Sequence, residues 1–353
     1  MAGEVVIISA GARTPLGFSL PASAAAVRAG ISVIGDHPFM IDRFGQPMKV
    51  TRDTALEPFA SGIDREVELA CSAALEALKP VLENPSKPDM TIMMSTGENR
   101  PGKSLSHTDL VYKGLCDRLT AYVGPSRGGS IDEGHSGGLI AMHHAAHALA
   151  SRQAELCLVG GIDSYLVPET LEWLDEGERL HSEGNKYGFC PGEGAGFCLM
   201  ARKDTADRLG LRPMLTVVAT ATAKEENLVG TETICLGEGL GSVLAALRTS
   251  LPDPEQPVDR ILCDMNGERY RGNEYGFAVM RSSGLFRDAA GFETPADCWG
   301  DLGAATGPAC VGLVMQAHQR GYAGGPLSVV WGSSDNGSRA AVMLASTTGG
   351  ANA

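Results

Sequence analysis

Two successive series of short apolar runs, alternating with amphipathic stretches, constrain this chain more than any other feature. In the first series VVIISA (5–10), MTIMMST (90–96), ELCLVGGIDS (155–164) and GAGFCLMAR (194–202) read as buried strands. REVELACSAALEALKPVLE (65–83) and LIAMHHAAHALAS (139–151) space their apolar residues three and four apart and read as helices. The second series runs through MLTVVATATA (214–223), a helix around LGSVLAALRTSL (240–251), RILCDMNG (260–267), GLVMQAHQRG (312–321), LSVVWGS (327–333) and RAAVMLAS (339–346). This alternation predicts an α/β protein with largely parallel sheets. Each series closes on an apolar strand, a Gly-containing connection and a second apolar strand, a pattern of internal duplication with its join near 203–213. The halves are drawn as 1–205 and 206–353. No low-complexity linker divides them, so they are expected to pack as one unit. The small, polar tail TTGGANA is expected to fray.

Composition narrows the function classes. Hydrophobic residues make up 43% of the 353 positions and charged residues 20%, the balance of a soluble globular protein. No apolar run is long enough to span a bilayer. The opening MAGEVVIISAGARTPLG lacks a basic region before its apolar run and reads as a strand and turn, not a signal peptide. With 29 basic and 42 acidic residues the net charge is −13, and no basic stripe is present to neutralise phosphates. Nucleic acid and anionic membrane surfaces are therefore not expected partners. Nine cysteines (71, 116, 157, 190, 198, 235, 263, 298 and 310) contain no C-x-x-C pair, and several sit inside apolar runs. They read as reduced core thiols of a cytoplasmic protein, without a disulfide frame or a zinc site.

Residues 134–149, GHSGGLIAMHHAAHAL, look like an elbow that exposes a side chain at a helix start, and the exposed position is His135. His143 and His147 stand one turn apart, a spacing that suits a metal pair. They lack the Glu of H-E-x-x-H and any spaced third ligand, so they read as ordinary helix histidines. No metal and no cofactor is expected. The run Gly192-Glu193-Gly194-Ala195-Gly196 lacks the Lys-Ser/Thr of a P-loop and precedes a strand, which favours tight packing over phosphate binding. GENRPGKS (97–104) reads as a solvated surface connection, where Arg100 and Lys103 could meet an anionic group. PETLEWLDEGERLHSEGN (168–185) reads as one acidic amphipathic helix on the body.

Four stretches together resemble the β-ketoacyl synthases of the thiolase-like superfamily. VVIISAGARTPLG is similar to that family's opening strand and T-P-L-G turn, and LVGGIDSYL to the strand after its nucleophile helix. NKYGFCPGEGAGFCLMAR is similar to its G-F-x-x-G-E-G-A-G segment, the most specific of the four. WGDLGAATGPA resembles its G-H-x-x-A-A-x-G helix start. The resemblance runs from near residue 5 to near residue 345. It implies a five-layered αβαβα fold of two similar halves. It also implies a homodimer or heterodimer joined through a strand near the elbow, here around 121–134.

The same resemblance places the reactive positions. The family's cysteine falls at His135, its first active-site histidine at Asn266 in CDMNGER, and its second at Asp301 in GDL. Its lysine falls at Ala296. Its glycine-rich gating loop is matched by SSDNGSRA, where Ser333 and Asp335 replace the aromatics and Gly337 is kept. Condensation needs a thiolate nucleophile and donors aimed at an oxyanion. An aspartate at one donor position would repel that oxyanion. The resemblance therefore implies a catalytically degenerate binding partner, scaffold or adaptor without condensing activity. One precedent is the chain-length factor that pairs with an active synthase; this chain is shorter and has lost the gating loop. Another is the stripped ketosynthase-like protein encoded beside some type VI secretion effectors. The implied partner is thus a secretion effector or an acyl-carrier/ketosynthase system. The alternative is an acyl-thioester hydrolase or acyltransferase using a His135–Asp301 pair, with Asn266 and Ser136 or Ser333 nearby.

Overall fold

A computed structural model describes residues 3–347 except 58, 59, 61, 83–88, 125, 252, 254 and 283. The tail expected to fray lies beyond Thr347, outside the described residues. The chain begins with β1 (Val5–Arg13), α1 (Leu20–Arg28) and a hairpin of β2 (Gly35–Ile41) and β3 (Pro47–Val50). Next come α2 (Gly62–Leu82), β4 (Met90–Ser95), α3 (His107–Leu119), β5 (Ser126–Ile131), α4 (Gly134–Ala150), β6 (Leu156–Ser164), α5 (Pro168–Glu176) and β7 (Glu193–Arg202). A short α6 (Lys203–Leu209) leads to β8 (Leu215–Lys224), α7 (Glu238–Thr249), β9 (Arg260–Cys263), α8 (Arg269–Arg281) and β10 (Phe292–Glu293). The chain closes with α9 (Ala296–Trp299), a one-turn 3-10 helix (Gly303–Ala305), α10 (Thr306–Gln319), β11 (Leu327–Ser333) and β12 (Ser338–Ser346).

The large sheet has the order β10-β9-β11-β12-β8-β1-β7-β6-β4-β5. Its two fives meet only at Val6↔Thr216 and Ile7↔Leu215, where β1 touches β8. Burial on both faces explains why these strands read as continuous apolar runs. Along β1, Val5 and Ile7 face an inner core with α4 and α10, while Val6 and Ile8 face an outer core with α2 and α3. Along β12, Val342 and Leu344 face that same inner core, while Ala341 and Met343 face a third core with α7 and α8. The layers are therefore helix, sheet, helix, sheet, helix, as the resemblance implied.

Glycine in the Gly192–Gly196 run serves close packing. A Cβ on Gly196 would sit 2.6 Å from the backbone nitrogen of Ala309 at the head of α10. Backbone cannot yield as a flexible side chain can, so Gly196→Ala should destabilise the fold by about 1–3 kcal/mol. The midpoint of denaturant unfolding measures this; an unchanged midpoint would mean that α10 shifts freely.

Four expectations need correction. The sheet is mixed: β4–β5, β4–β6, β9–β10 and β9–β11 are parallel, but β1, β7, β8 and β12 pair antiparallel to their neighbours. Within each closing pair, β6/β7 and β11/β12, the chain reverses direction. Helix α4 starts at Gly134, five residues earlier than its apolar spacing suggested, because its glycines fit against neighbouring elements. Strand β9 stops at Cys263, and the acidic 168–185 stretch is helical only to Glu176. Leu171 and Leu174 of that helix are buried, leaving Trp173 half-exposed.

Candidate functional site at the head of helix α4

Gly134 has φ +59, a left-handed conformation that glycine adopts at little cost, and it turns the chain sharply into α4. The turn sets His135 in the first helical turn, buried between the two sheets. Its Nε2–H donates to Asp301, lying 2.9 Å from each carboxylate oxygen. Asn266 Nδ2 donates to the same carboxylate at 2.6 Å, and the backbone N–H of Gly303 at 2.8 Å. The three positions singled out from sequence are thus brought together, with Asp301 as the hub. Tyr165 Oη lies 3.5 Å from His135 Nε2.

Arg271, wholly buried on α8, covers this centre. Its Nη1 donates to Asp264 (3.0 Å) and to the carbonyl of Ser333 (2.6 Å). Its Nη2 lies 3.3 Å from His135 Nδ1 and 3.4 Å from Nε2. An in-plane approach at such equal distances would drive the nitrogen into Cε1, so the guanidinium lies over the ring face. Arg179 binds Asp335 at 2.6 Å and both oxygens of Glu268 at 2.8 and 3.0 Å.

Four carboxylates (Asp264, Glu268, Asp301, Asp335) therefore surround two guanidiniums and one imidazole. Burial and Arg271 push the His135 pKa down, but Asp301 and Asp264 outweigh them and raise it. Burial opposes ionisation of Asp301, yet His135, Arg271 and Asn266 bring its pKa down to about 2. Burial likewise opposes ionisation of Asp335, and Arg179 and Arg271 hold it well below the usual carboxylate range. An imidazolium at a helix N-terminus opposes the macrodipole; Asp301 supplies the compensation.

A cavity of about 290 Å³ adjoins His135, with Glu98, Arg100, Tyr165, Trp173 and Asp335 in its wall. Burial and Asp335 raise the pKa of Glu98. Asp163 and Arg179 add further charges to the wall, which contains no cysteine among the described residues. All nine cysteines are free, and burial pushes every one of their thiols upward, Cys190 to about 11 and Cys198 to about 12. No thiolate is poised here.

The GENRPGKS segment is a surface connection, with Asn99, Pro101, Gly102 and Ser104 exposed, but its two cations are not solvated. Arg100 is buried and grips Asp163 at 2.5 and 3.2 Å, while Lys103 reaches the same carboxylate at 2.9 Å. The anion these cations meet is the protein's own: Asp163, buried in β6, needs them to stay charged. The Arg100 guanidinium also stacks 4.0 Å over the Tyr165 ring. His143 bonds Thr220 at 2.8 Å and its ring lies 4.5 Å from that of His147. Among the described residues no third ligand joins that pair.

Sequence reasoning missed Glu98, Tyr165, Arg179, Asp264, Glu268 and Arg271 as parts of the site. A signal existed for two: Glu268 and Arg271 stand three apart immediately after Asn266, on one helical face. Glu98 and Arg179 come from distant segments that carry no spacing signal.

With this geometry in view, comparison with known proteins is informative. Residues 124–206 match the family model "Beta-ketoacyl synthase, N-terminal domain". A 6-methylsalicylic acid synthase of Penicillium terrestre is 28% identical over 129 residues, 34% of this chain and 7% of that protein. Polyketide synthase PksL of Bacillus subtilis is 34% identical over 84 residues, 22% of this chain and 2% of its own length. The matched stretches thus span under a tenth of these curated relatives. Among solved structures, a type II ketosynthase in complex with its acyl-carrier protein superposes with TM-score 0.80 at 14% identity, covering 98% of this chain and 100% of that one. The ishigamide ketosynthase/chain length factor gives TM-score 0.80 at 14% identity over the same shares. A ketosynthase of the Bacillus subtilis bacillaene synthase gives 0.77 at 14%, covering 98% of this chain and 72% of that one. No helix among the described residues is long and apolar enough to cross a membrane. The chain has the fold of these ketosynthases, and its residues 124–206 match the N-terminal domain of the β-ketoacyl synthases.

Proposed function

We propose that this chain is a catalytically degenerate ketosynthase-like protein that works by binding a protein partner, as a scaffold or adaptor. The observation that carries the reading is the state of His135. It stands where condensation would need a thiolate, with its Nε2 committed to Asp301 and its ring face covered by Arg271. The cavity wall favours an adaptor over a chain-length-factor-like subunit, because an acyl chain there would lie against the charges of Glu98, Arg100, Asp163, Arg179 and Asp335. Among the described residues strand β5 pairs with β4 alone, and its Arg127, Gly128 and Gly129 are exposed, so it presents a backbone edge to a partner chain. The client we favour is a secretion effector of the type VI kind. Affinity capture of the tagged chain from its native host at low salt, with partners identified by mass spectrometry, tests this. Recovery of an effector or secretion component supports the adaptor. Recovery of an active ketosynthase or acyl-carrier protein makes it chain-length-factor-like, and recovery of the chain alone contradicts both.

One observation favours a second reading, an acyl-thioester hydrolase or acyltransferase: the 2.9 Å His135–Asp301 pair borders an accessible cavity. Against it, the Ser136 hydroxyl is engaged at 2.7 Å by Ser334 Oγ, which also takes the Ser136 N–H at 2.9 Å. Turnover of an acyl-thioester that His135→Ala abolishes would establish this reading.

A further inference from the structure

Behind the loop that carries Asp335, three buried side chains converge that the His135 site does not use. Glu225 follows β8, Cys235 lies in the loop before α7, and Glu274 sits on α8. One oxygen of each carboxylate and Cys235 Sγ all lie within 4.8 Å of one another. We propose that Glu225, Cys235 and Glu274 bind a divalent cation of the zinc class.

Glu274 provides the independent sign of a missing ligand. Its side chain is wholly buried; Oε1 accepts from Arg339 Nε, whereas Oε2 and the Ser333 Oγ beside it make no hydrogen bond of good geometry, the hydroxyl lying only close enough to favour the ionised carboxylate. A buried carboxylate oxygen left unpaired costs free energy that a bound cation would remove. Charge also balances: two carboxylates and a thiolate against Arg339 and a divalent ion sum to zero. Of the other two ligands, Glu225 is already oriented. Gly239 N–H donates to Glu225 Oε2 at 2.9 Å and Asn227 N–H to Oε1 at 3.3 Å, and Cys235 lines the adjoining cavity.

One sulfur with two carboxylate oxygens suits zinc or cobalt rather than magnesium or calcium. Bonds of about 2.0–2.3 Å place tetrahedral ligands roughly 3.3–3.8 Å apart, so loading would contract the cluster slightly. A cavity of about 270 Å³ lined by Cys235, Tyr270 and Asn273 gives access and room for water as fourth ligand. Binding releases the thiol proton. The ion would brace the loop behind the His135 site: Glu225 N–H donates to the Gly337 carbonyl at 2.7 Å, and Arg339 Nη1 to that of Ser334 at 2.6 Å.

The test uses the full chain, stripped with a chelator and titrated with Zn²⁺ alone, then with Co²⁺ as a spectroscopic reporter. One equivalent should bind, and Co²⁺ should give thiolate-to-cobalt charge-transfer absorption. Cys235→Ser should abolish that band and weaken Zn²⁺ at least by the roughly 100-fold upper range for lost outer-shell partners. Glu274→Gln should weaken binding and keep the band. Zn²⁺ should also protect Cys235 from alkylation in the unmutated protein, a readout independent of whether the variants fold. Absence of stoichiometric binding, a band that survives Cys235→Ser, or no protection of Cys235 would each overturn the proposal.

Discussion

Arg271→Met is expected to lower the melting temperature by on the order of 10 °C, the largest effect of any single change at the site. The guanidinium is fully buried and serves Asp264, Glu268, Asp335 and the Ser333 carbonyl at once while covering His135. Methionine fills much of the volume but leaves these carboxylates facing one another without the cation. Removing one partner of a buried ion pair costs about 3–5 kcal/mol, because the remaining charge stays desolvated. Arg179 still neutralises Glu268 and Asp335, so the cost should fall chiefly on Asp264. Lysine at 271 should rescue only part, since an ammonium cannot hold this fork of acceptors. Calorimetry of both variants decides the matter: a shift within a degree or two of the unmutated protein would show that the network contributes little.

Asp301→Asn should make stability respond differently to pH. The asparagine keeps the shape but loses the charge that most raises His135, leaving burial and Arg271, which lower it, opposed only by the more weakly acting Asp264. In the unmutated protein the folded His135 pKa lies above its unfolded value of about 6.5. Its contribution is therefore complete below about pH 6.5 and disappears as pH rises through the folded value. The depressed pKa of Asp301 acts at the other end: its contribution is present above about 3.9 and is lost as pH falls towards about 2. The pair should thus stabilise most between about pH 4 and 6.5. Asp301→Asn should cost about 3–5 kcal/mol in that window and progressively less on the alkaline side. Denaturant titrations at about pH 6 and about pH 9 measure this. Equal losses at both would mean that His135 is not protonated in the folded protein.

The fold was legible where burial on both faces forced it. Strands β6, β7, β11 and β12 announced themselves as uninterrupted apolar runs because neither face meets water. Their direction was not legible, since apolarity does not encode whether neighbours run parallel. The start of α4 was legible as an elbow but not from apolar spacing, because Gly134, Gly137 and Gly138 carry low helix propensity and only tertiary packing makes them helical. At the site, His135 was legible as the exposed position of a glycine-rich elbow, but Asn266 and Asp301 came from resemblance alone; no spacing links residues so far apart in sequence. Arg100 and Lys103 were misread because a polar loop normally meets water. Nothing in GENRPGKS reveals that Asp163 waits beneath it.

The proposal turns on this chain, with its ketosynthase fold, offering no nucleophile able to take an acyl group. Intact-mass spectrometry after incubation with an acyl-thioester, beside the His135→Ala variant, tests it most directly. The account predicts unmodified mass for both, because His135 is held by Asp301 and Arg271 and the thiols are buried or half-buried with their pKa pushed upward. A stoichiometric acyl adduct on the unmutated chain, lost in His135→Ala or mapped to one of the cysteines, would contradict it and make the chain an acyl-transferring enzyme.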